Sequence, residues 1–475
     1  MPLKNGNTLI ADRKIEEKRM TESNKQKQER NGSSFRFTLA FLVISLLLSW
    51  FICKPTYGQN TVINVPQSST FQPVQINQSP INNANSPASN PNRQLNVYEQ
   101  DKRELQKQNA ELSKTLYGES EYKDLIQYNL PSQANIPGAV YFRKASEKLN
   151  QMLSGEIQMN LKQAIFETEN AYLEGKLNYQ KFDKGIQNLI EIARLKAVQD
   201  GYNWKNPQTR NIMLFRVMAD TLKVKLPSQE NYVTSYPMRY DFDDYMGKKD
   251  WTKMFISKLL ASKSGQCHSL PLLYLILCEE TGTKANLAFS PSHTYAKFKD
   301  QSGNWHNLEL TNGRIVSDAF IIGSGYVTAE ALKNRIYMEP LTTKQTIAQC
   351  LADLGKEYAQ KYGYDNFVSQ CIDSTLKYNS TNIFARQVKS DYQTLQFNYV
   401  VNQVGRLHPD TLKIHYPKVY QLLKERNQTY QFIDASGYQE MPEQAYREWL
   451  KSVDKEAEKE KREEKKLNRI IQITK

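Results

Sequence analysis

Three short stretches decide the fold that this sequence predicts: SGQCHS (264–269), SPSHTY (290–295) and WHNLELT (305–311). In order they offer a thiol, an imidazole and a carboxylate, which are the groups of an activated cysteine nucleophile. The first two stretches are separated by LPLLYLILCEE (270–280), which is followed closely by a glycine. Because this run is apolar nearly all round and has a glycine stop, it predicts a buried helix.

Cys267 stands at the start of this predicted helix. Unsatisfied backbone N–H groups and the helix dipole at that end favour a thiolate over a thiol. The same N–H groups are placed to stabilise an oxyanion beside the sulfur. Pro271 is tolerated in a first helical turn, which indicates that the helix begins close to Ser269 and that Cys267 lies on the bend before it.

Strand-like segments follow the helix. Residues 285–289 and 294–298 predict two strands around a Ser-Pro-Ser bend, and residues 305–310 predict a third strand after a Gly-Asn turn. Antiparallel pairing of these strands would place His293 near Cys267 and Glu309 near His293. The histidine then serves as the base and, as imidazolium, holds the thiolate, while Glu309 fixes its tautomer and orientation.

The pattern resembles the transglutaminase-like superfamily, whose fold is papain-like. The shared features are a glycine two residues before Cys267, the apolar helix, an aromatic residue two positions after His293, and Trp305 four residues before Glu309. The resemblance implies that Cys267 is the nucleophile, His293 the general base and acid, and Glu309 the orienting acid, where family members usually have Asp. It also implies an α+β fold in which the cysteine-bearing helix packs on an antiparallel sheet.

The predicted function is hydrolysis of a peptide or amide bond through an acyl-thioester on Cys267. Transfer of the acyl group to an amine, as in protein cross-linking, is the second option, because no second-substrate site is recognisable in the sequence. A catalytically inactive module that binds peptides or acts as a scaffold is the competing class. We expect a peptide or protein substrate and no cofactor.

Metal and nucleic acid sites are not predicted. His268 and His306 lie near the central motif, but no paired Cys or His spacing of the usual zinc-binding kind is present. The net charge of +13 comes largely from residues 1–54 and 451–475, which supply eight of the excess positive charges. The middle of the chain has no dense Arg/Lys and aromatic stripe of the kind that follows a nucleic acid backbone.

Residues 37–53 (FTLAFLVISLLLSWFIC) carry no charge and follow a basic lead at residues 1–36. They predict a transmembrane helix or a secretion signal, and the Lys/Arg excess before them predicts that the rest of the chain crosses the membrane. The long polar lead favours a retained anchor, whereas small residues before Gln59 offer a cleavage site. The predicted location is the bacterial periplasm or cell surface, membrane-anchored, or secreted if the segment is cleaved.

The rest of the sequence predicts mostly helices. The predicted organisation is a disordered Gln/Asn/Ser/Pro linker at 54–97, a charged helical edge at 98–135, a helical part of the folded region at 136–235, the transglutaminase-like domain at 236–340, a helical region at 341–450 and a charged helical tail at 451–475. Leu354-Gly355 and Tyr358 resemble a tetratricopeptide helical hairpin. A plain helical cap on the catalytic domain is the other interpretation. In both, the C-terminal helices are a candidate surface for a protein partner.

Overall fold

Helices surround a few small sheets in the computed structural model of this protein, which describes residues 91–227, 231–323, 326–449 and 451. The predicted α+β class is confirmed at this level, with helix as the dominant element. The described residues fall within one unit of the chain, Ala88–Lys475.

The first part of the described chain is helical. Its helices are α1 Pro91–Tyr117, α2 Glu119–Leu125, α3 Ala139–Ser154, α4 Leu161–Tyr172, α5 Tyr179–Gln199 and α6 Pro207–Ala219. Helix α1 begins inside the predicted linker, at a proline, which suits a first helical position because its missing N–H would have no partner there. Asparagine side chains cap the starts of α4, α5 and α6 by accepting backbone N–H groups.

Three sheets follow. Strands β1 Leu222–Lys225 and β2 Tyr232–Ser235 form an antiparallel pair, and the short strands β3 Arg239–Tyr240 and β4 Ser264–Gly265 pair in parallel. The third sheet is antiparallel and runs in chain order through β5 Asn286–Ser290, β6 His293–Lys299, β7 Trp305–Glu309 and β8 Arg314–Val316. Ser292 has a φ of 54°, so the tight turn between β5 and β6 contains a left-handed residue.

Helix α8, Ser269–Glu280, passes through the centre of the hydrophobic core. A short 3₁₀ helix, Trp251–Met254, and helix α7, Ile256–Ser262, come before it. The side chains of α8 from Ser269 to Cys278 are buried, and the helix contacts strands β5 and β6. The predicted start near Ser269 is confirmed. Its position in the core follows from its composition, since a helix that is apolar all round has no face to present to water.

A hydrogen bond and a tightly packed glycine fix the bend before α8. The Gln266 N–H donates to Ser269 Oγ at 3.1 Å, which gives the turn a polar bridge. A Cβ on Gly265 would lie 2.6 Å from that oxygen and 3.0 Å from Leu259 Cδ1. Glycine is therefore required here by the close approach of the chain, and this bend holds Cys267 directly before the helix.

The remaining helices are α9 Asp318–Ile322, α10 Ala329–Lys333, α11 Thr343–Tyr362, α12 Asn366–Tyr378, α13 Ile383–Gln403, α14 Pro409–His415 and α15 Pro417–Ala435. Residues 443–449 form one more helical segment, which we call the C-terminal helix. Helix α11 packs against α12 and also against α3 and α4. Gly355 on α11 allows this close packing, because a Cβ there would lie 3.1 Å from Cys371 Cβ on α12.

The sequence predicts a transmembrane helix, and this prediction is corrected here. Within the described ranges, no helix is long and apolar enough to cross a membrane. The stretch behind the prediction, residues 37–53, lies outside the described residues, as do the predicted basic lead, most of the predicted linker and most of the charged tail.

Candidate active site

The antiparallel sheet brings His293 and Glu309 to one face. Leu308 on β7 is the register partner of Ala296 on β6. Glu309 therefore lies opposite Tyr295 and diagonally from His293 on the same face of the sheet. The long Glu side chain spans this diagonal, and Glu309 Oε2 lies 2.7 Å from His293 Nε2. The register thus leaves a separation that the length of a Glu side chain can span.

Glu309 is held as a carboxylate. Its side chain is 1% exposed, and its Oε1 accepts the Thr311 N–H at 3.0 Å and the Thr311 hydroxyl at 2.5 Å. Burial alone would raise the pKa of Glu309, but the charge of His293 and the three hydrogen bonds outweigh it and lower the pKa. The carboxylate can therefore orient the imidazole and balance its charge.

Cys267 lies beside His293 on the bend before α8 and is partly buried. The Thr294 hydroxyl donates to the Cys267 carbonyl oxygen, which ties the bend to strand β6. Burial would raise the pKa of the Cys267 thiol, but its interaction with His293 outweighs that cost and lowers the pKa. Hydrogen bonds from the Tyr446 hydroxyl and the Thr294 N–H act in the same direction.

The pKa of the His293 imidazole is raised, which complements the lowered pKa of Cys267. Burial disfavours the imidazolium, but the charge of Glu309 and the interaction with Cys267 raise the pKa of His293 to about 10. Nε2 is bonded to Glu309, which leaves Nδ1 for the sulfur. Among the described residues this buried Nδ1 has no hydrogen-bond partner. The two pKa shifts act in the direction that favours a thiolate beside an imidazolium.

Two residues of the C-terminal helix also contact the site, and the sequence does not predict them. The Tyr446 hydroxyl lies 3.6 Å from Cys267 Sγ, and the Trp449 ring stands edge-on to His293 with centroids 4.8 Å apart. Tyr446 is separated from Cys267 by 179 positions. No local spacing or composition links positions so far apart, so only the tertiary fold reveals these contacts.

His268 turns away from the triad, although it is the neighbour of Cys267. Its Nε2 lies 3.1 Å from Asp353 Oδ2 and its Nδ1 lies 3.1 Å from the Met254 carbonyl oxygen. Burial lowers the pKa of His268, but Asp353 and the nearby Glu357 raise it to about 9 overall. These contacts make His268 part of a structural polar cluster on the far side of the bend.

His306 also lies apart from the triad. Its Nε2 is 2.9 Å from Asp300 Oδ2, and its ring stacks on Phe298 with centroids 5.0 Å apart. Among the residues that the structure describes, no group of three or more His, Cys, Asp or Glu side chains could hold a metal ion.

The other described cysteines differ from Cys267 in burial and ionisation. Cys278, Cys350 and Cys371 are buried free thiols. Burial raises the pKa of Cys278 and that of Cys371 to about 12 each, and it raises the pKa of Cys350 as well. Cys267 is the described cysteine whose pKa is lowered, which is the property that a nucleophilic thiol requires.

The candidate site joins three parts of the chain: the bend before α8, the antiparallel sheet and the C-terminal helix. It brings together all three residues that the sequence singles out, Cys267, His293 and Glu309. Such an arrangement can supply a thiolate, a proton donor beside it and a fixed countercharge. Comparisons with protein-family models, with curated proteins and with solved structures found no match to this chain.

Proposed function

We propose that this protein is a cysteine hydrolase that cleaves a peptide or amide bond through an acyl-thioester on Cys267. The observation that carries the proposal is the buried His293–Glu309 pair beside Cys267, with a lowered thiol pKa and a histidine pKa of about 10. A purely structural cysteine in an apolar core has its pKa raised instead, as Cys278 does. The substrate in this proposal is a peptide or protein.

The chemistry follows from these groups. The Cys267 thiolate attacks the carbonyl carbon of the substrate, and the carbonyl oxygen becomes an oxyanion that the N-terminal end of α8 is placed to stabilise. His293 gives its proton to the leaving amine, so the C–N bond breaks and an acyl-thioester remains. Neutral His293 then takes a proton from water, and the hydroxide attacks the thioester carbonyl carbon. The C–S bond breaks, which releases the acid and restores the thiolate beside the imidazolium. Glu309 holds the ring orientation throughout.

We also propose that the core is papain-like and of the transglutaminase type. Three features support it: a bend that carries the cysteine, a buried helix that starts directly after it, and an antiparallel sheet that carries the histidine and the acid on adjacent strands. The acid is Glu309 rather than the usual Asp, and the diagonal register supplies a physical reason for the longer side chain.

The first experiment measures the reactivity of Cys267. Wild-type protein is alkylated with iodoacetamide across a pH series, and the modified peptides are quantified by mass spectrometry. We expect Cys267 to react at about pH 6, well below the free thiol pKa of about 8.5, because it is already a thiolate. His293→Ala should abolish this advantage. The proposal loses its basis if Cys267 has the same pH profile in the variant as in the wild type.

A second experiment separates the three functional options. The protein is incubated with a peptide library, with and without an added primary amine, and intact mass spectrometry follows both protein and peptides. Hydrolysis gives shortened peptides and a transient acyl-enzyme, whereas transfer gives peptides joined to the amine. Cys267→Ser is the matched control for both reactions. Peptide binding without either product would support the inactive module instead.

A further inference from the structure

The C-terminal helix places a hydroxyl group on the sulfur of the proposed nucleophile. The Tyr446 hydroxyl lies 3.6 Å from Cys267 Sγ and 3.1 Å from the Tyr240 hydroxyl. We propose that Tyr446 is a fourth member of the site, which stabilises the Cys267 thiolate by donating a hydrogen bond to it. This inference rests on the proposed function, since it assigns a role at the same sulfur.

The direction of the hydrogen bonds follows from the number of protons. A thiolate has no proton and can only accept, so the single hydroxyl proton of Tyr446 points to Cys267. Tyr240 must then donate its own proton to the Tyr446 oxygen. The result is a chain from Tyr240 through Tyr446 to Cys267, in which each bond polarises the next. Burial and the nearby Cys267 raise the pKa of both tyrosines, so both stay protonated donors.

Packing fixes the Tyr446 hydroxyl at this position. The residue is 1% exposed, and its ring centroid lies 5.5 Å from that of Tyr245 and 5.8 Å from that of Trp449. On the outer side of the helix, Glu443 accepts from the Tyr245 hydroxyl at 3.0 Å and pairs with Lys248 at 2.6 Å. These contacts hold the helix against the loop between β3 and the 3₁₀ helix, so the hydroxyl loses little additional freedom when it bonds to sulfur.

If Tyr446 had only a structural role, its substitution would affect the ionisation of Cys267 differently. If the ring alone mattered, phenylalanine would fill the same space and the ionisation of Cys267 would not change. If the hydroxyl stabilises the thiolate, its removal must raise the pH at which the thiol ionises, because a hydrogen bond to the charged form favours that form. The pH dependence of Cys267 thus separates the two roles.

The test uses the full chain and three Tyr→Phe variants. Wild type, Tyr446→Phe, Tyr240→Phe and Tyr358→Phe are alkylated with iodoacetamide over the same pH series, and the ultraviolet absorbance of the thiolate is followed in parallel. We expect the midpoint for Cys267 to rise by about one pH unit in Tyr446→Phe, the scale of one hydrogen bond to an ionised acceptor. The rise should be smaller in Tyr240→Phe, which only removes the polarising donor.

Tyr358→Phe is the matched control, because it also loses a buried tyrosine hydroxyl, but one that bonds to Asp365 before α12 and not to the sulfur or the C-terminal helix. We expect it to keep the wild-type midpoint, and thermal unfolding of each variant verifies that the fold is retained. The inference is overturned if Tyr446→Phe keeps the wild-type midpoint or if Tyr358→Phe raises it equally. A wild-type midpoint near the free thiol value of about 8.5 would overturn the proposed function and, with it, this inference.

Discussion

At the scale of single residues, His293 and Glu309 form a buried ion pair that ties the proposed chemistry to stability. Both side chains are 1% exposed, and their nitrogen and oxygen lie 2.7 Å apart. Each charge would be costly in this position without the other, so removal of one partner leaves the second uncompensated. The same two groups that would drive catalysis therefore also contribute to the free energy of unfolding, and this contribution depends on pH.

Glu309→Gln tests this coupling. The pKa of His293 is raised from 6.5 to about 10 in the folded protein, so the stability that this group contributes is fully present below about pH 6.5 and is lost as the pH rises through about 10. Glutamine removes the charge that supports the imidazolium. We expect the variant to be about 3 kcal/mol less stable than the wild type at neutral pH.

The measurement is denaturant unfolding of wild type and Glu309→Gln over the same pH range. The difference in free energy of unfolding should shrink as the pH approaches about 10, because the wild type then loses the imidazolium as well. Titrating groups that do not interact with His293 or Glu309 affect both proteins alike and cancel in the difference, and Cys267→Ala in both backgrounds removes the thiol that does interact. A difference that stays constant from neutral pH to above this range would contradict the prediction.

The sequence predicts the three central residues because they lie within one continuous stretch whose elements are short and regular. Cys267 precedes an apolar run, and His293 and Glu309 follow at strand ends, so local pattern and pairing suffice to bring them together. Tyr446 and Trp449 cannot be found this way. Their contacts depend on where a distant helix docks, which is decided by packing over the whole chain and not by any local period.

At the scale of elements, α8 and the sheet are the parts that the sequence predicts well. The helix begins at Ser269, and strands β5, β6 and β7 fall on the predicted segments within one or two residues. The short strands β3 and β4 escape prediction, because two-residue strands carry no alternating pattern. These short strands nevertheless matter for the site, since they pair Tyr240 with Gly265, two residues before Cys267.

Gly265→Ala tests the bend that carries the cysteine. The new Cβ would meet Ser269 Oγ at 2.6 Å and Leu259 Cδ1 at 3.0 Å, so the bend must shift. We expect a loss of about 1–3 kcal/mol in the free energy of unfolding, as for overpacking in a core. We also expect slower alkylation of Cys267 near neutral pH, because the sulfur moves relative to His293.

Ser269→Ala provides the control for this prediction. It removes the oxygen that the new methyl group would strike, so the double variant should be no less stable than Gly265→Ala alone. Chemical denaturation of the two single variants and the double variant gives the coupling energy directly. Strict additivity of the two losses would show that the clash with Ser269 Oγ is not what the glycine avoids.

At the scale of the whole molecule, one hydrophobic core connects helices α3 and α4 with the sheet and with the C-terminal helix. Helices α3 and α4 pack against α11, and Met441 and Tyr446 belong to the same buried cluster as α8. The site is therefore completed only when the last helical segment docks. The docking surface has an aromatic side, with Tyr446 buried and Trp449 partly buried, and an outer side with exposed polar pairs.

The exposed pair between Glu443 and Lys248 offers a way to loosen this docking without touching the buried side. Both side chains are more than a third exposed, so the pair itself contributes about 0–1 kcal/mol. Glu443→Lys and Lys248→Glu each replace attraction by repulsion. We expect backbone amides of residues 443–449 to exchange with solvent about two- to fivefold faster in either variant. This is the factor that a loss of up to about 1 kcal/mol in the free energy of docking implies.

The reversed pair, Glu443→Lys with Lys248→Glu, restores opposite charges and should recover part of the protection. Recovery is partial because Glu443 also accepts a hydrogen bond from Tyr245 and pairs with Arg447 at 3.1 Å. The Glu443→Lys substitution removes both of these contacts. The effect of the single variants should weaken at high salt, since exposed charges are screened. If the double variant exchanges as fast as the worse single variant, the charge pair does not hold the helix. Protection would then come from Tyr446 and Trp449 alone, and release of the C-terminal helix would require disruption of the same aromatic contacts that complete the site.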